Sequence, residues 1–129
     1  MRDLYNDLGF SQSLAPAARN ASANGTGVDT NGYSGAVFVI SAGAWTDGTH
    51  TFDMQESDDN TTFTSVDAGQ LQGSEPVVSS APTASKVYKV GYLGTKRYVR
   101  VAVTVAGATT GAIYGASILL GHAATKPVS

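Results

Sequence analysis

Histidine is the side chain best suited to acid–base catalysis near neutral pH, and the chain has two, His50 and His122. His50 lies in a segment of strict polar–apolar alternation, which predicts a strand over residues 49–56 with His50 and Glu56 on one face. At about 3.3 Å of rise per residue, these two side chains lie roughly 20 Å apart, which is too far for a catalytic pair. His122 has no partner in the neighbouring sequence. Because no nucleophile and base occur together, we expect neither catalytic residues nor an enzymatic activity.

An acidic cluster in the same region raises the question of calcium, because carboxylate oxygens on a turn are the ligands that this ion needs. Its members are Asp53, Glu56, Asp58 and Asp59. The spacing does not match an EF-hand loop, and the run over 58–60 fits a hairpin turn at least as well, since Asp and Asn bond to their own backbone there. We therefore expect no metal site.

The sequence contains neither a complete cofactor-binding motif nor a thiol. Gly25 and Gly27 match part of a dinucleotide-binding fingerprint, but the third glycine and the strand-then-helix context are missing. The chain has no cysteine, which excludes a disulfide framework, a thiolate zinc site and a cysteine nucleophile. We expect no cofactor.

The basic residues concentrate around residues 96–100. Lys96, Tyr98 and Arg100 alternate along a predicted strand and point the same way, so they form a stripe of basic and aromatic side chains. Such a stripe is either a solvated strand face whose charges prevent edge pairing, or a contact surface for an acidic partner. Together with Arg19 near the N-terminus, these residues are the candidate partner contacts.

Length and charge narrow the function classes. A chain of 129 residues fits one domain, and a formal net charge of −2 without any block of like charge argues against binding to nucleic acid. The first seven residues are polar and acidic, where a signal peptide is basic and then apolar, so we expect synthesis in the cytoplasm. Residues 101–121 carry no charge, but alternation on both sides of a Gly-Thr centre favours a buried hairpin over a membrane helix.

The elements that would position these residues are predicted strands. Residues 36–42 are apolar on both faces, which indicates a central strand buried on two sides. Residues 49–56 pair with 61–66, and 96–105 pair with 112–120 across a turn over 107–111. We predict an all-β fold, a single antiparallel β-sandwich or small barrel of about seven to eight strands. An extended N-terminal arm (1–25) precedes the sandwich domain (26–121), and a C-terminal tail (122–129) follows it.

Several stretches together resemble a group of small virion proteins of tailed bacteriophages. These are SLAPAAR (13–19), GAWTDGTHTF (43–52), QESDDN (55–60) followed by Phe63 and Thr64, GTKRYVRV (94–101), and the Gly- and Ala-rich end of the chain. The resemblance covers most of the sequence. It implies a structural protein that binds the outside of the capsid shell and reinforces it, a decoration or cement protein.

The partner that the resemblance implies is the major capsid protein, and the location is the capsid surface of the virion. The resemblance also implies a homo-oligomer, by analogy a trimer. We expect neither nucleic acid nor a membrane as a partner. Two alternatives stay open: a component of the head–tail neck or of the tail, and a carbohydrate-binding β-sandwich. The aromatic residues that the second alternative would use are Tyr33, Trp45, Tyr88 and Tyr92.

Overall fold

The computed structural model describes residues 3–80 and 83–123, which form two antiparallel β-sheets packed together. The strands are β1 (Gly9–Arg19), β2 (Ala23–Asn24), β3 (Val28–Asp29), β4 (Tyr33–Trp45), β5 (Thr49–Ser57), β6 (Thr64–Ser65), β7 (Leu71–Gln72), β8 (Val77–Val78), β9 (Val87–Tyr92), β10 (Tyr98–Ala106) and β11 (Ala112–Ala123). A turn of 3-10 helix, Ala68–Gln70, precedes β7. The predicted antiparallel β-sandwich is confirmed. The described residues contain more strands than predicted, because β1 and β2 form within the predicted N-terminal arm and because β7 spans only two residues.

The strands are distributed over two sheets, and strands that are neighbours in a sheet are often far apart in the sequence. The five-stranded sheet has the order β1-β11-β4-β9-β7. The six-stranded sheet has the order β2-β10-β5-β6, with β3 also paired to β10 and β8 also paired to β5. Within the described ranges there is no helix long and apolar enough to cross a membrane.

The core lies between the sheets and follows from the alternation of each long strand. In β4, Phe38 and Ile40 are fully buried, and β10 contributes Val99 and Val101 from the opposite sheet. Each large apolar side chain that is fully buried contributes about 1.5–3 kcal/mol to the transfer out of water. The largest fully buried side chains are Tyr114, Phe38, Phe52, Ile40, Met54, Ile118, His50, Val78, Val90, Val99, Val101 and Val103.

The predicted hairpin between the last two long strands is wrong. β10 pairs with β5 over its full length in the six-stranded sheet, whereas β11 pairs with β1 and β4 in the other sheet. The connection over 107–111 therefore crosses from one sheet to the other, a distance of about 10 Å. Alternation shows which face of a strand is buried but does not say which strand pairs with it.

The predicted arm contributes to the five-stranded sheet. Residues 9–19, which belong to the predicted arm, form β1, which pairs with β11 from Gly9↔Leu120 to Arg19↔Ala112. Ser13 and Leu14 are buried. The Ser13 hydroxyl donates to the carbonyl oxygen of Thr26 (2.9 Å) and accepts from the N–H of Val101 in β10 (3.0 Å), so β1 also contacts the opposite sheet. Of the predicted C-terminal tail, residues 124–129 lie outside the described residues.

Candidate functional site

His50 is enclosed in the core and holds the two sheets together. Its ring is fully buried, with Nδ1 2.9 Å from the hydroxyl of Tyr114 in β11 and Nε2 3.0 Å from the carbonyl oxygen of Asp47. Because a carbonyl oxygen only accepts, Nε2 must carry the proton, and Nδ1 then accepts from the Tyr114 hydroxyl. Burial raises the pKa of Tyr114 to about 12, so this hydroxyl keeps its proton. Both ring nitrogens are occupied within the fold, whereas His122 is exposed at the end of β11.

Asp47 fixes the crossing between β10 and β11. Its carboxylate accepts the backbone N–H groups of Thr109 (3.1 Å), Thr110 (3.2 Å) and Gly111 (2.6 Å). These bonds, the one from Gly111 above all, lower the pKa of Asp47. In a hairpin, backbone carbonyl oxygens would accept these N–H groups. Here the Asp47 carboxylate accepts them instead, so the connection can cross to the other sheet without leaving its N–H groups unpaired.

The predicted basic stripe is occupied by partners within the chain. Lys96, just before β10, forms a 2.7 Å ion pair with Asp58. The neighbouring Arg97 binds Asp29 with two nitrogens (2.9 and 2.8 Å) and lowers the pKa of that carboxyl to about 2. Exposed pairs of this kind contribute little stability, but they cancel the local charge. The stripe therefore presents less free positive charge than the sequence predicts.

The other candidate contacts lie further along the fold. Arg100 donates through Nε to Gln55 (2.7 Å) and lies with its guanidinium carbon 4.1 Å from the centre of the Phe63 ring. Tyr98 is half-buried at the start of β10. Arg19 lies at the opposite end of the sandwich, where one of its terminal nitrogens donates to the carbonyl oxygen of Ala15 (2.6 Å). The structure brings Lys96, Tyr98 and Arg100 to one side of the molecule and leaves Arg19 apart.

The acidic cluster does not converge on a common point. Asp53 accepts from Gln55 and Ser65 on the outer face of the six-stranded sheet, and Glu56 accepts from the Tyr92 hydroxyl inside (2.7 Å). Asp59 accepts from the backbone of its own turn, and these bonds lower its pKa to about 2. Asp58 pairs with Lys96. Among the described residues, no three His, Cys, Asp or Glu side chains are arranged to hold a metal ion.

The aromatic residues that a sugar-binding module would use are mostly engaged inside the fold. Trp45 donates to the carbonyl oxygen of Gly48 (2.9 Å), Tyr88 to that of Thr83 (2.6 Å), and the buried Tyr92 donates to Glu56. Tyr33, Trp45 and Tyr88 are half-buried and pack against the core.

Glu75 is a residue that the sequence reading missed. Its carboxylate accepts the backbone N–H of Met54 in β5 (2.6 Å). Met54 lies between the residues of β5 that pair with β6 and those that pair with β8, so the carboxylate takes the place of a strand carbonyl at that edge. Burial raises the pKa of Glu75, and the negative charge of Asp53 acts in the same direction, although the Met54 bond lowers it.

A change of Glu75 to glutamine is expected to alter how stability depends on pH. Because the folded chain holds the Glu75 proton more tightly than the unfolded chain, Glu75 contributes stability that is fully present below its ordinary pKa of 4.5 and is lost as pH rises through the folded-state pKa. Glutamine stays neutral, so the melting temperature of Glu75→Gln should match that of the wild type near pH 4 and exceed it above the folded-state pKa. Thermal unfolding followed by circular dichroism from about pH 4 to 8 measures this difference. Asp67→Asn, on the exposed surface, is the control, and a constant difference across the range would contradict the expectation.

The outer face of the five-stranded sheet carries several large apolar side chains that are exposed. Phe10, Val87 and Ile113 are 64%, 70% and 47% exposed. Val37, Val39 and Leu119 lie half-buried among them, on the side of the sheet away from Phe38 and Ile40. We call these six residues the apolar face. Of the charged residues in the described strands of this sheet, the alternation places only Lys89 there.

The opposite outer face, on the six-stranded sheet, is polar. It carries Thr51, Asp53, Gln55, Arg100 and Thr104, several of them linked by the hydrogen bonds described above. The predicted burial of β4 on two sides is therefore only half realised. β4 is central in its sheet, but Val37 and Val39 are covered on the outer side by no strand of the described chain.

This contrast between the two outer faces is the arrangement that best indicates a site of interaction. Large exposed apolar patches on soluble proteins mark surfaces that bind other molecules. Comparison of the chain with protein-family models, with curated proteins and with solved structures finds no match in any of the three.

Proposed function

We propose that the protein is a non-enzymatic structural protein of a tailed-bacteriophage virion, which binds the outside of the capsid shell and reinforces it. Its partner would be the major capsid protein, and it would act as a homo-oligomer on the virion surface after synthesis in the host cytoplasm. The resemblance of the stretches at 13–19, 43–52, 55–60 and 94–101 to small virion proteins supports the phage origin.

The structural observation that supports attachment is the apolar face. The centre of a protein–protein contact is depleted of charged residues, and this sheet offers the exposed side chains of Phe10, Val87 and Ile113 with a single lysine among them. The polar outer face of the other sheet then faces solvent, as it would on the exterior of a particle.

The chemistry of the described residues is in keeping with a structural role. The buried histidine uses both ring nitrogens within the fold, and the acidic residues bond to separate partners. Each of these groups stabilises a turn, an edge or the contact between sheets. A protein that must withstand attachment to a shell gains directly from such contacts.

Replacing Ile113 by lysine is expected to weaken binding to empty capsid shells at least about tenfold, equivalent to about 1.4 kcal/mol. The change places a charge in the apolar face, at a side chain that is 47% exposed and so not needed for folding. Co-sedimentation of the purified protein with shells of the encoding phage measures the affinity. Val77→Lys is the matched control, because Val77 is 40% exposed but belongs to the six-stranded sheet.

Two results would overturn the proposal. Wild-type protein that fails to bind shells would exclude decoration, and equal loss in both lysine variants would exclude the apolar face as the contact. Cryo-electron microscopy of particles separates the alternatives by location. Density repeated over the shell lattice supports decoration, and density at one vertex or along the tail assigns the protein to the neck or tail.

A further inference from the structure

The five-stranded sheet has an open edge on β9. β7 pairs with β9 only at Leu71↔Tyr92 and Gln72↔Gly91, and the chain then turns away at Gly73, whose φ is +94°. Residues 87–90 of β9 therefore have a strand partner on the β4 side only, among the described residues. Exposed sheet edges present backbone groups that can pair with another strand.

Within the described part of the chain, the same sheet has a second open edge on β1. Residues 9–12 pair in regular register with β11 on one side, and a groove of about 530 Å³ lies beside residues 9–11. The rest of β1 is protected against pairing, because it contains two register shifts and Pro16, and because the carbonyl oxygen of Ser13 accepts from the N–H of Thr26. The available edge is thus a short, uncharged stretch of four residues, the same length as the open stretch of β9.

We propose that a second copy of this chain binds head to tail, with residues 9–12 of β1 in one copy pairing with residues 87–90 of β9 in the next. Neighbouring strands in the sheet are antiparallel throughout, so β1 and β9, three positions apart, run in opposite directions. A β1 from the next copy placed beside β9 therefore continues the antiparallel alternation without any reversal.

The side chains at the two edges are compatible with this pairing. Within one copy, Gln12 pairs with Ser117, Ser117 with Val39, and Val39 with Lys89, so Gln12 and Lys89 lie in the same row across the sheet. A shift of two residues keeps every side chain on its own face and sets all four residues of 9–12 opposite 87–90. Phe10 then lies opposite Lys89 and beside Val87, where its ring can cover the apolar side chain and accept the ammonium group on its face.

The junction also extends the surface that carries the proposed attachment. Because one sheet runs into the next, the apolar faces of successive copies lie on the same side. A heterologous contact of this kind forms a ring when its rotation closes. The pairing itself does not depend on the proposed binding to a shell.

A mixing experiment tests the head-to-tail arrangement. Phe10→Lys disables the β1 edge and Val87→Lys disables the β9 edge, and both side chains are exposed enough that the fold should be kept. Light scattering coupled to size-exclusion chromatography should give an oligomer for the wild type and the monomer mass of 13.2 kDa for each variant alone. An equimolar mixture has one intact edge of each kind, so it should form a dimer and nothing larger. Val77→Lys should behave as the wild type.

Other outcomes would overturn the inference. A monomeric wild type, or an oligomer that survives either change, excludes the junction. Loss of the oligomer only in Phe10→Lys, with no dimer between the two variants in the mixture, indicates that two β1 edges pair with each other. The result is independent of the shell-binding assay, since a monomer that binds shells refutes only the pairing, and an oligomer that does not bind them refutes only the decoration function.

Discussion

Replacing Tyr114 by alanine is expected to lower the free energy of unfolding by about 3–5 kcal/mol, the usual cost of removing a buried aromatic ring. Tyr114 is 1% exposed, and its ring packs edge-on against Phe52 and His50 from the other sheet, with centroid separations of 5.0 and 5.2 Å. The change removes both the packing and the hydrogen bond that join the sheets at this end. Urea denaturation followed by fluorescence and circular dichroism measures the loss.

A second variant at the same position separates the two contributions. Tyr114→Phe keeps the ring but leaves the buried Nδ1 of His50 without its donor, so we expect a loss of about 1–3 kcal/mol. Tyr5→Ala is the control, because Tyr5 is 86% exposed and its removal should change stability by less than about 0.5 kcal/mol. A phenylalanine variant as stable as the wild type would show that the hydrogen bond to His50 contributes nothing.

Replacing Gly111 by alanine is expected to cost more than about 3 kcal/mol. Gly111 has a φ of +88°, and an added Cβ would overlap the backbone carbonyl of Arg19 at the end of β1. Its N–H is also one of the three that Asp47 accepts. To make room, either β1 must leave β11 or the crossing between the sheets must shift.

Gly107 provides a matched control within the same connection. Its φ is +68°, but a Cβ added there would meet no atom within 4 Å. Gly107→Ala should therefore cost only the strain of a left-handed backbone, about 1–2 kcal/mol. Chemical denaturation of the two variants side by side measures the difference, and equal losses would show that contact with β1 is not what makes Gly111 sensitive.

The long strands could be predicted from the sequence because each has one buried face. The alternation of His50, Phe52 and Met54 in β5, and of Val99, Val101 and Val103 in β10, identifies the inward side chains, and all six are buried. The pairing of β5 with a strand after the 58–60 turn is also confirmed, although β6 is shorter than predicted.

The crossings between sheets could not be predicted in the same way. A Gly-rich connection with alternation on both sides describes a hairpin and a crossing equally well. What decides between them at 107–111 is Asp47, more than sixty residues away in sequence, whose carboxylate binds the N–H groups of the connection. The same limit applies to Lys96, because its pairing with Asp58 depends on the loop over 58–60 reaching it.

The apolar face escaped the sequence analysis for a related reason. Val37 and Val39 fit a strand buried on both sides, and only the sheet order shows that nothing in the described chain covers them. Exposed phenylalanine or valine cannot be recognised from a pattern that records apolar character alone.

The pairing of β1 with β11 also determines when the protein can fold. β11 lies between β1 and β4 in the sheet, yet it is the last of the described strands to be synthesised. At about 5–20 residues per second, β1 waits several seconds on the ribosome for its partner. The five-stranded sheet must therefore form after β11 has emerged. A chain stalled before residue 112 would leave the backbone of β4 without its partner on the β11 side, and an unpaired strand edge of this kind is open to aggregation.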